Sequence, residues 1–183
     1  CLNFLSAKGS YIKASRLFLG KEISHQTCVL GEYFGRNSSG HERIKFNPLF
    51  KPGKREGKSL LFNYKHLSPG RFGFVNNDSP DFSIFSNYVE AYHYLMDEMT
   101  DLQVESLKLA VGNTQIKTIF LDGGFSSNEV FMQLLADKLP QYELLSSSFA
   151  KGTALGAAIL VNDAKISLNF LRKNYDLKLT TAR

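Results

Sequence analysis

The chain has 183 residues with a formal net charge of +5, and 43% of its residues are hydrophobic. This length suits one domain, which buries roughly 70% of the surface that the unfolded chain exposes. No apolar run approaches the ~20 residues of a membrane span, and two cysteines are too few for a disulfide framework. We therefore predict a soluble, cytoplasmic protein with reduced thiols and no membrane partner.

The first 35 residues predict a hairpin followed by a helix. Leu2 to Leu5 and Tyr11 to Leu19 are typical of two strands around a turn at Lys8-Gly9. From Gly20 onward, apolar residues fall at helical spacing until Gly35, which is a common helix stop.

Residues 36–82 predict an insertion of loop-rich or small-sheet structure. Four prolines interrupt the segment, and only short pieces such as Ser59 to Tyr64 resemble strands. Basic side chains between Lys51 and Arg71 are interleaved with aromatic ones between Phe50 and Phe72, a pattern that can bind single-stranded nucleic acid. A solvated insertion with a few packed aromatic rings explains the pattern as well, and we favour it, so no nucleic-acid partner is predicted.

The stretch from Phe82 to Gly112 predicts either one long helix or two helices broken near Thr100-Asp101. Its apolar residues recur at helical spacing and are expected to face a core. The predicted core-facing residues are Phe85, Tyr88, Val89, Tyr92, Leu95 and Met96.

The most informative segment joins a strand to a helix through two glycines. Three apolar residues run into Asp122-Gly123-Gly124, and a helix is predicted with Ser126 as N-cap and Glu129 completing a capping box. Glycines at a strand end let the backbone approach a ligand, and a helix N-terminus presents unpaired N–H groups to an anion such as phosphate. A nucleotide site is one explanation, and a tight turn without a ligand is the other.

The remaining segments continue the alternation. The helix is expected to end before Pro140, a short strand covers Tyr142 to Leu145, and another helix extends to about Asn162. The polar tail to Arg183 shows no obvious packed element. Strands that alternate with helices indicate a parallel sheet. With the initial hairpin, we predict an α/β fold in which helices flank a mixed sheet.

Three segments carry a family signal in one order: Asp122-Gly-Gly-Phe-Ser-Ser-Asn128, Phe131 to Asp137, and Thr153 to Ala158. Together they resemble the C-terminal domain of the FGGY carbohydrate kinases, which include the glycerol, xylulose, rhamnulose and fuculose kinases. Lys13 to Gly20 resembles the rhamnulokinase-like branch more weakly, and residues 37–82 match poorly. The resemblance implies a ribonuclease-H-like, actin-like fold and the ATP-binding half of an enzyme that phosphorylates a ketose or polyol.

The resemblance also implies which residues contact ATP. Gly124, the second glycine of the pair, is expected to lie against the phosphates, and Asn128 is expected to contact the adenine. Gly20, at the start of an earlier helix, is expected to line the same cleft, with Ser24 facing the adenine one turn later. The predicted ATP-binding residues are Gly20, Ser24, Gly123, Gly124, Ser126 and Asn128. The small residues from Thr153 to Ala158 are expected to let their helix pack closely.

In that family the catalytic aspartate, most sugar contacts and the first phosphate loop belong to an N-terminal domain of the same protein. The chain opens at Cys1 without an initiator methionine or signal segment, which we interpret as an internal piece of a longer protein. We predict a single C-terminal, nucleotide-binding domain over residues 1–183 that uses ATP and Mg²⁺ and is catalytically silent alone. No catalytic residue or metal ligand is assigned.

Two functions of other classes stay open. An actin-like or heat-shock-type ATPase domain shares this fold and a Gly-Gly phosphate turn, although Asn128 and the segment Ala154 to Ala158 favour the sugar kinases. A binding module that kept the fold and lost the chemistry is supported only by Phe125, where the family often has a third glycine. The sugar, among rhamnulose, fuculose and xylulose, and the oligomeric state are not predicted.

Overall fold

The structure is a computed structural model that describes residues 2–5, 11–52, 57–147, 169 and 177–182. Its helices and strands are β1 (Leu2–Leu5), β2 (Tyr11–Ala14), α1 (Leu19–Phe34), α2 (Tyr88–Val111), β3 (Thr118–Leu121), α3 (Glu129–Lys138), β4 (Glu143–Ser147) and β5 (Leu177–Thr180). Short 3-10 helices cover Ser38–Arg43, Pro69–Phe72, Phe82–Ile84 and Gly124–Ser127. The architecture is α/β, as predicted. Within the described ranges, no helix is long and apolar enough to cross a bilayer.

The first two strands confirm the predicted hairpin strands and correct their length. β1 and β2 pair antiparallel, with Leu2 opposite Ala14, and the predicted turn at Lys8-Gly9 lies outside the described residues. The second strand was expected to reach Leu19, but pairing stops at Ala14 and Leu19 begins α1. Because the Leu19 side chain is buried on the helix, tertiary packing overrides the strand propensity of a short apolar run.

α1 forms where the helical spacing predicts it. Its buried apolar stripe includes Leu19, Ile23 and Leu30. The helix ends at Gly35, which adopts φ 62° and ψ 37°, and the Arg36 N–H donates to the Gly31 carbonyl at 2.8 Å. Glycine adopts this left-handed conformation without a steric penalty, so the predicted stop signal is confirmed.

α2 is one unbroken helix of 24 residues rather than two helices broken near Thr100-Asp101. Asn87 caps its start by accepting the Glu90 N–H at 3.0 Å. The Thr100 hydroxyl donates to the Asp97 carbonyl at 2.7 Å within the helix. This bond satisfies the buried Thr100 hydroxyl, so the helix continues through a residue type that is common at helix ends.

α2 also supplies the centre of the core, where it packs against α1 and α3. The predicted core-facing residues that are buried are Phe85, Tyr88, Tyr92, Leu95 and Met96. The prediction is wrong for Val89, which is 37% exposed. Tyr88 and Tyr92 define the buried face, and position 89 lies about 100° away from position 88 around the helix axis.

The described part of segment 36–82 contains 3-10 helices and no strand. A single bridge between Ser59 and Val75 replaces the strand-like piece that we predicted from Ser59 to Tyr64. Aromatic side chains of the segment nevertheless enter the core, since Phe62 and Tyr64 are buried. Its status as an insertion stays a prediction.

A buried glutamate on α2 holds this segment in place. The Glu98 carboxylate accepts the Leu61 N–H at 2.6 Å, the Phe62 N–H at 3.4 Å and the Tyr64 hydroxyl at 3.1 Å. These donors belong to a stretch without a regular backbone ladder, so a side chain must satisfy them when they are removed from water. Glu98 therefore replaces the missing strand partner.

The second sheet has the order β3-β4-β5. β3 and β4 run parallel, with Ile119 opposite Leu144, which confirms the predicted parallel pair. β5 pairs antiparallel with β4, with Leu179 opposite Leu145, so the prediction of an unpacked tail is wrong. Four residues give too short an alternation to identify a strand from sequence. The helix predicted to extend to Asn162 lies outside the described residues.

His93 is buried on α2 and held in one tautomer. Its Nε2 accepts the Asn47 N–H at 3.0 Å, so the proton lies on Nδ1, which donates to the Val89 carbonyl at 2.8 Å. Burial lowers the pKa of His93 below its ordinary value of 6.5, and the bond to Val89 partly opposes this effect.

We expect the free energy of unfolding to fall when the pH drops below about 6.5. The unfolded chain binds a proton at His93 that the native imidazole resists, so this contribution is present above the ordinary pKa and is lost towards the depressed native value. Urea unfolding midpoints measured on both sides of this window, for the wild type and His93→Gln, test the expectation. Equal losses in the two proteins would assign the pH dependence to other groups.

Candidate functional site

A cleft of about 1380 Å³ runs along β3 and continues past its carboxyl end. Residues 14–20 form one wall, residues 118–124 form another, and side chains between His41 and Lys45 form a third. Ligands of α/β proteins bind preferentially beyond the carboxyl ends of parallel strands. The position of the cleft therefore agrees with the ligand-binding edge of such a sheet.

The glycine pair shapes one wall of the cleft. Gly123 has φ 103° and ψ 178°, a conformation that essentially only glycine adopts. Its N–H donates to the Asp122 carboxylate at 2.8 Å, which closes the turn locally. A Cβ added to Gly124 meets no atom within 4 Å, so the space beside this residue is open. The turn thus exposes backbone to the cleft without side chains in between.

The helix after the turn begins later than the capping box predicts. Asn128, not Ser126, is the N-cap of α3, because its Oδ1 accepts the Phe131 N–H at 2.9 Å. Ser126 lies within the preceding 3-10 turn, and its hydroxyl donates to the Gly123 carbonyl at 2.7 Å. The Glu129 carboxylate points away from the cap and binds a different segment. The intervening 3-10 turn accounts for the two-residue shift.

Asn128 is fixed by a bond to the core. Its Nδ2 donates to the Tyr92 hydroxyl at 2.7 Å while its Oδ1 caps α3. Tyr92 is fully buried on α2, and burial raises the pKa of its hydroxyl to about 12. Both ends of the Asn128 amide are therefore held by protein groups at the edge of the cleft.

The start of α1 lies on the same cleft. Gly20 lines it, and the N-cap residue Phe18 provides no side-chain hydrogen bond to the first turn of the helix. Ser24 does not line the cleft, and its hydroxyl donates back to the Gly20 carbonyl at 2.9 Å. The structure thus brings together Gly20, Gly123, Gly124, Ser126 and Asn128, and leaves Ser24 outside.

The described lining of the cleft carries both signs of charge: Arg16, Lys45, Glu42, Asp122 and Glu129. Lys45 Nζ lies 2.9 Å from Glu129 Oε2, and this hydrogen bond lowers the pKa of Glu129 below its usual 4.5. The Arg16 guanidinium lies 4.8 Å from the centre of the Phe18 ring. No cluster of three metal-ligating side chains occurs among the described residues.

Sequence reasoning missed three residues of this region: Arg16, Lys45 and Tyr92. Lys45 belongs to a segment without periodicity and lies 84 residues from Glu129, so no sequence pattern connects them. Tyr92 was predicted as a core residue, and its hydroxyl contact with Asn128 is invisible in a pattern of apolar spacing. Arg16 lies within Lys13 to Gly20, the segment of weaker family resemblance, which offered a usable signal.

These features define an α/β domain with a cleft that runs along β3 and past its carboxyl end, bordered by Gly20, the Gly123-Gly124 turn and the start of α1. Residues 83–164 match the FGGY family of carbohydrate kinases, C-terminal domain. This match confirms the predicted resemblance to the C-terminal domain of the FGGY carbohydrate kinases over residues 83–164. Comparison with curated proteins and with solved structures found no match. The matched range includes Thr153 to Ala158, which lies outside the described residues.

Proposed function

We propose that this chain is the ATP-binding half of a sugar kinase that transfers the γ-phosphoryl group of ATP to a hydroxyl of a ketose or polyol. The observation that carries the proposal is the family match over residues 83–164, because it includes the Gly123-Gly124 turn that borders the cleft. Gly20 borders the same cleft from outside the matched range. The proposal thus rests on the family match and on the position of Gly20 and the Gly123-Gly124 turn on one cleft.

In this proposal the phosphates lie against Gly124, where the absence of a side chain leaves room for close backbone approach. The first turn of α1 offers backbone N–H groups beside Gly20, which suit negative charge. Asn128 lies at the adenine end, as the resemblance implies, and Ser126 braces the turn through the Gly123 carbonyl. Ser24 is the weakest member of the proposed set, since it does not line the cleft.

The cleft fits the proposed cofactor in size and chemistry. Its volume of about 1380 Å³ exceeds the ~300–1,000 Å³ of common ligand pockets, so a nucleotide can enter it. Mg²⁺ prefers carboxylate and phosphate oxygens, and Asp122 places a carboxylate beside the glycine turn. Mg²⁺ bound with ATP would neutralise charge on the transferring phosphoryl group.

The catalytic base and most sugar contacts are assigned to an N-terminal domain of the same protein. This chain then contributes positioning and charge stabilisation, the two effects on which phosphoryl transfer mainly depends. Closure of the two domains excludes water and prevents simple hydrolysis of ATP. The described hairpin and mixed sheet are compatible with the ribonuclease-H-like fold of this family, which we include in the proposal with a cytoplasmic location.

The proposal is tested by titrating the chain with Mg-ATP while recording backbone amide NMR spectra. We expect shifts concentrated at Gly20 and at residues 123–128. Asn128→Ser keeps a good helix cap and removes the amide, so it should weaken binding about tenfold without changing spectral dispersion. A well-dispersed spectrum that does not change at saturating Mg-ATP would contradict nucleotide binding by this chain.

To test the type of activity, ADP release must be measured on a protein that contains both this chain and the proposed N-terminal domain. We expect ADP release to depend on added ketose or polyol. Release that is the same with and without sugar would indicate an actin-like ATPase instead. Nucleotide binding without any turnover would indicate a module that has lost the chemistry.

A further inference from the structure

Residues 41–47, which we call the rim segment, lie outside the family match but are fastened to the matched region. The Lys45 ammonium pairs with Glu129 Oε2 at 2.9 Å, and the Phe46 N–H donates to Glu129 Oε1 at 3.3 Å. The Asn47 N–H donates to His93 Nε2 at 3.0 Å. The rim segment is therefore held by two separate anchors, one on α3 and one on α2.

This attachment places Lys45 on the same cleft as the Gly123-Gly124 turn. Glu129 directly follows the α3 cap residue Asn128, and Lys45 lines the same cleft as Gly124. The ion pair is open to water, with 80% of the Lys45 side chain and 50% of the Glu129 side chain exposed. Exposed pairs of this kind contribute only ~0–1 kcal/mol. Lys45 can therefore leave Glu129 at little cost.

The charge of the cleft favours such a cation. Its described lining has three carboxylates against two permanent cations, Arg16 and Lys45. Mg-ATP still carries net negative charge, so a cation that turns towards its phosphates reduces their repulsion by these carboxylates. The Arg16 guanidinium already lies over the Phe18 ring, whereas the Lys45 ammonium pairs with an exposed carboxylate among the described residues.

We propose that Lys45 is a phosphate-binding residue, which exchanges its partner Glu129 for the phosphates when a nucleotide binds. This inference rests on the proposed ATP site and adds to it a residue from a segment that the family match does not include. The ammonium-to-phosphate bond is charge-assisted on both sides and replaces a bond of the same type. The Phe46 and Asn47 N–H bonds keep the rim segment in place while the Lys45 side chain moves.

The test compares Lys45→Met, Lys45→Arg and Lys108→Met with the wild-type chain. Methionine keeps the apolar stem of Lys45 and removes the charge, whereas arginine keeps the charge. Lys108 is the matched control, because it is also exposed and pairs with a glutamate at 2.7 Å but does not line the cleft. Binding of Mg-ATP, inorganic tripolyphosphate and adenosine is measured by titration at low ionic strength, where charge effects are least screened.

We expect Lys45→Met to weaken Mg-ATP and tripolyphosphate about fivefold to tenfold and to leave adenosine unchanged. Lys45→Arg should stay within about twofold of the wild type, and Lys108→Met should match it. Equal affinities for Lys45→Met and the wild type, or an equal loss for Lys108→Met, would overturn the role of Lys45 and leave the ATP site intact. Absence of Mg-ATP binding by the wild type would overturn the proposed function and this inference with it.

Discussion

Replacing Gly124 with valine is expected to weaken Mg-ATP binding about 30-fold or more, or ~2 kcal/mol, while the domain stays folded. A Cβ at this position meets no protein atom within 4 Å, so the fold can accommodate it. The same open space is where the phosphates are proposed to lie, so the added methyl groups would occupy the ligand's position. The variant therefore shows whether position 124 needs glycine for nucleotide binding even though folding does not need it.

Two other glycines make this experiment specific. Gly70 also lies in a 3-10 helix with open space at its Cβ, but it does not line the cleft, so Gly70→Val should bind Mg-ATP normally. Gly123→Ala should instead reduce stability by ~1–3 kcal/mol, because φ 103° is unfavourable for any residue with a side chain. If Gly124→Val binds Mg-ATP as tightly as Gly70→Val, the phosphates do not lie at the glycine turn.

The largest loss of stability is expected from Glu98→Ala, which should lower the free energy of unfolding by ~3–5 kcal/mol. The substitution leaves the Leu61 and Phe62 N–H groups and the Tyr64 hydroxyl without their carboxylate partner. It also leaves a cavity beneath a segment whose aromatic rings belong to the core.

Urea unfolding of the two variants Glu98→Ala and Glu105→Ala measures this contribution. Glu105 lies on the same helix, but it makes only partly exposed ion pairs with Lys108 and Lys58, so its loss should be below ~1 kcal/mol. Losses of similar size for the two glutamates would show that Glu98 does not hold the 36–82 segment. The comparison uses one helix and one residue type, so helix propensity cancels.

Periodicity and turn chemistry predicted most of the regular structure. The helix ending at Gly35, the strand before Asp122 and the parallel partner strand follow from local apolar spacing and from glycine. Local signals failed where two conformations satisfy the same pattern. The N-cap is Asn128 and not the predicted Ser126, because a 3-10 turn and the first turn of an α-helix have similar short-range hydrogen bonds.

The candidate site was predictable only in part, because some of its residues are far apart in the sequence. The glycine turn and Asn128 lie within one short segment, so a motif can identify them together. Lys45, by contrast, meets Glu129 through a contact between segments 84 residues apart, and its segment has no regular spacing. Contacts of this kind depend on how the 36–82 segment packs, which apolar periodicity does not describe.

The bond between Tyr92 and Asn128 directly connects the interior of the domain to the proposed ligand-binding surface. A substitution of Tyr92 removes no atom from the cleft, yet it releases the amide of the residue that caps α3. A search for destabilised variants and a search for variants with altered nucleotide affinity should therefore both identify this buried tyrosine. Under the proposed function, selection for a well-packed interior and selection for nucleotide recognition both act on the Tyr92 hydroxyl.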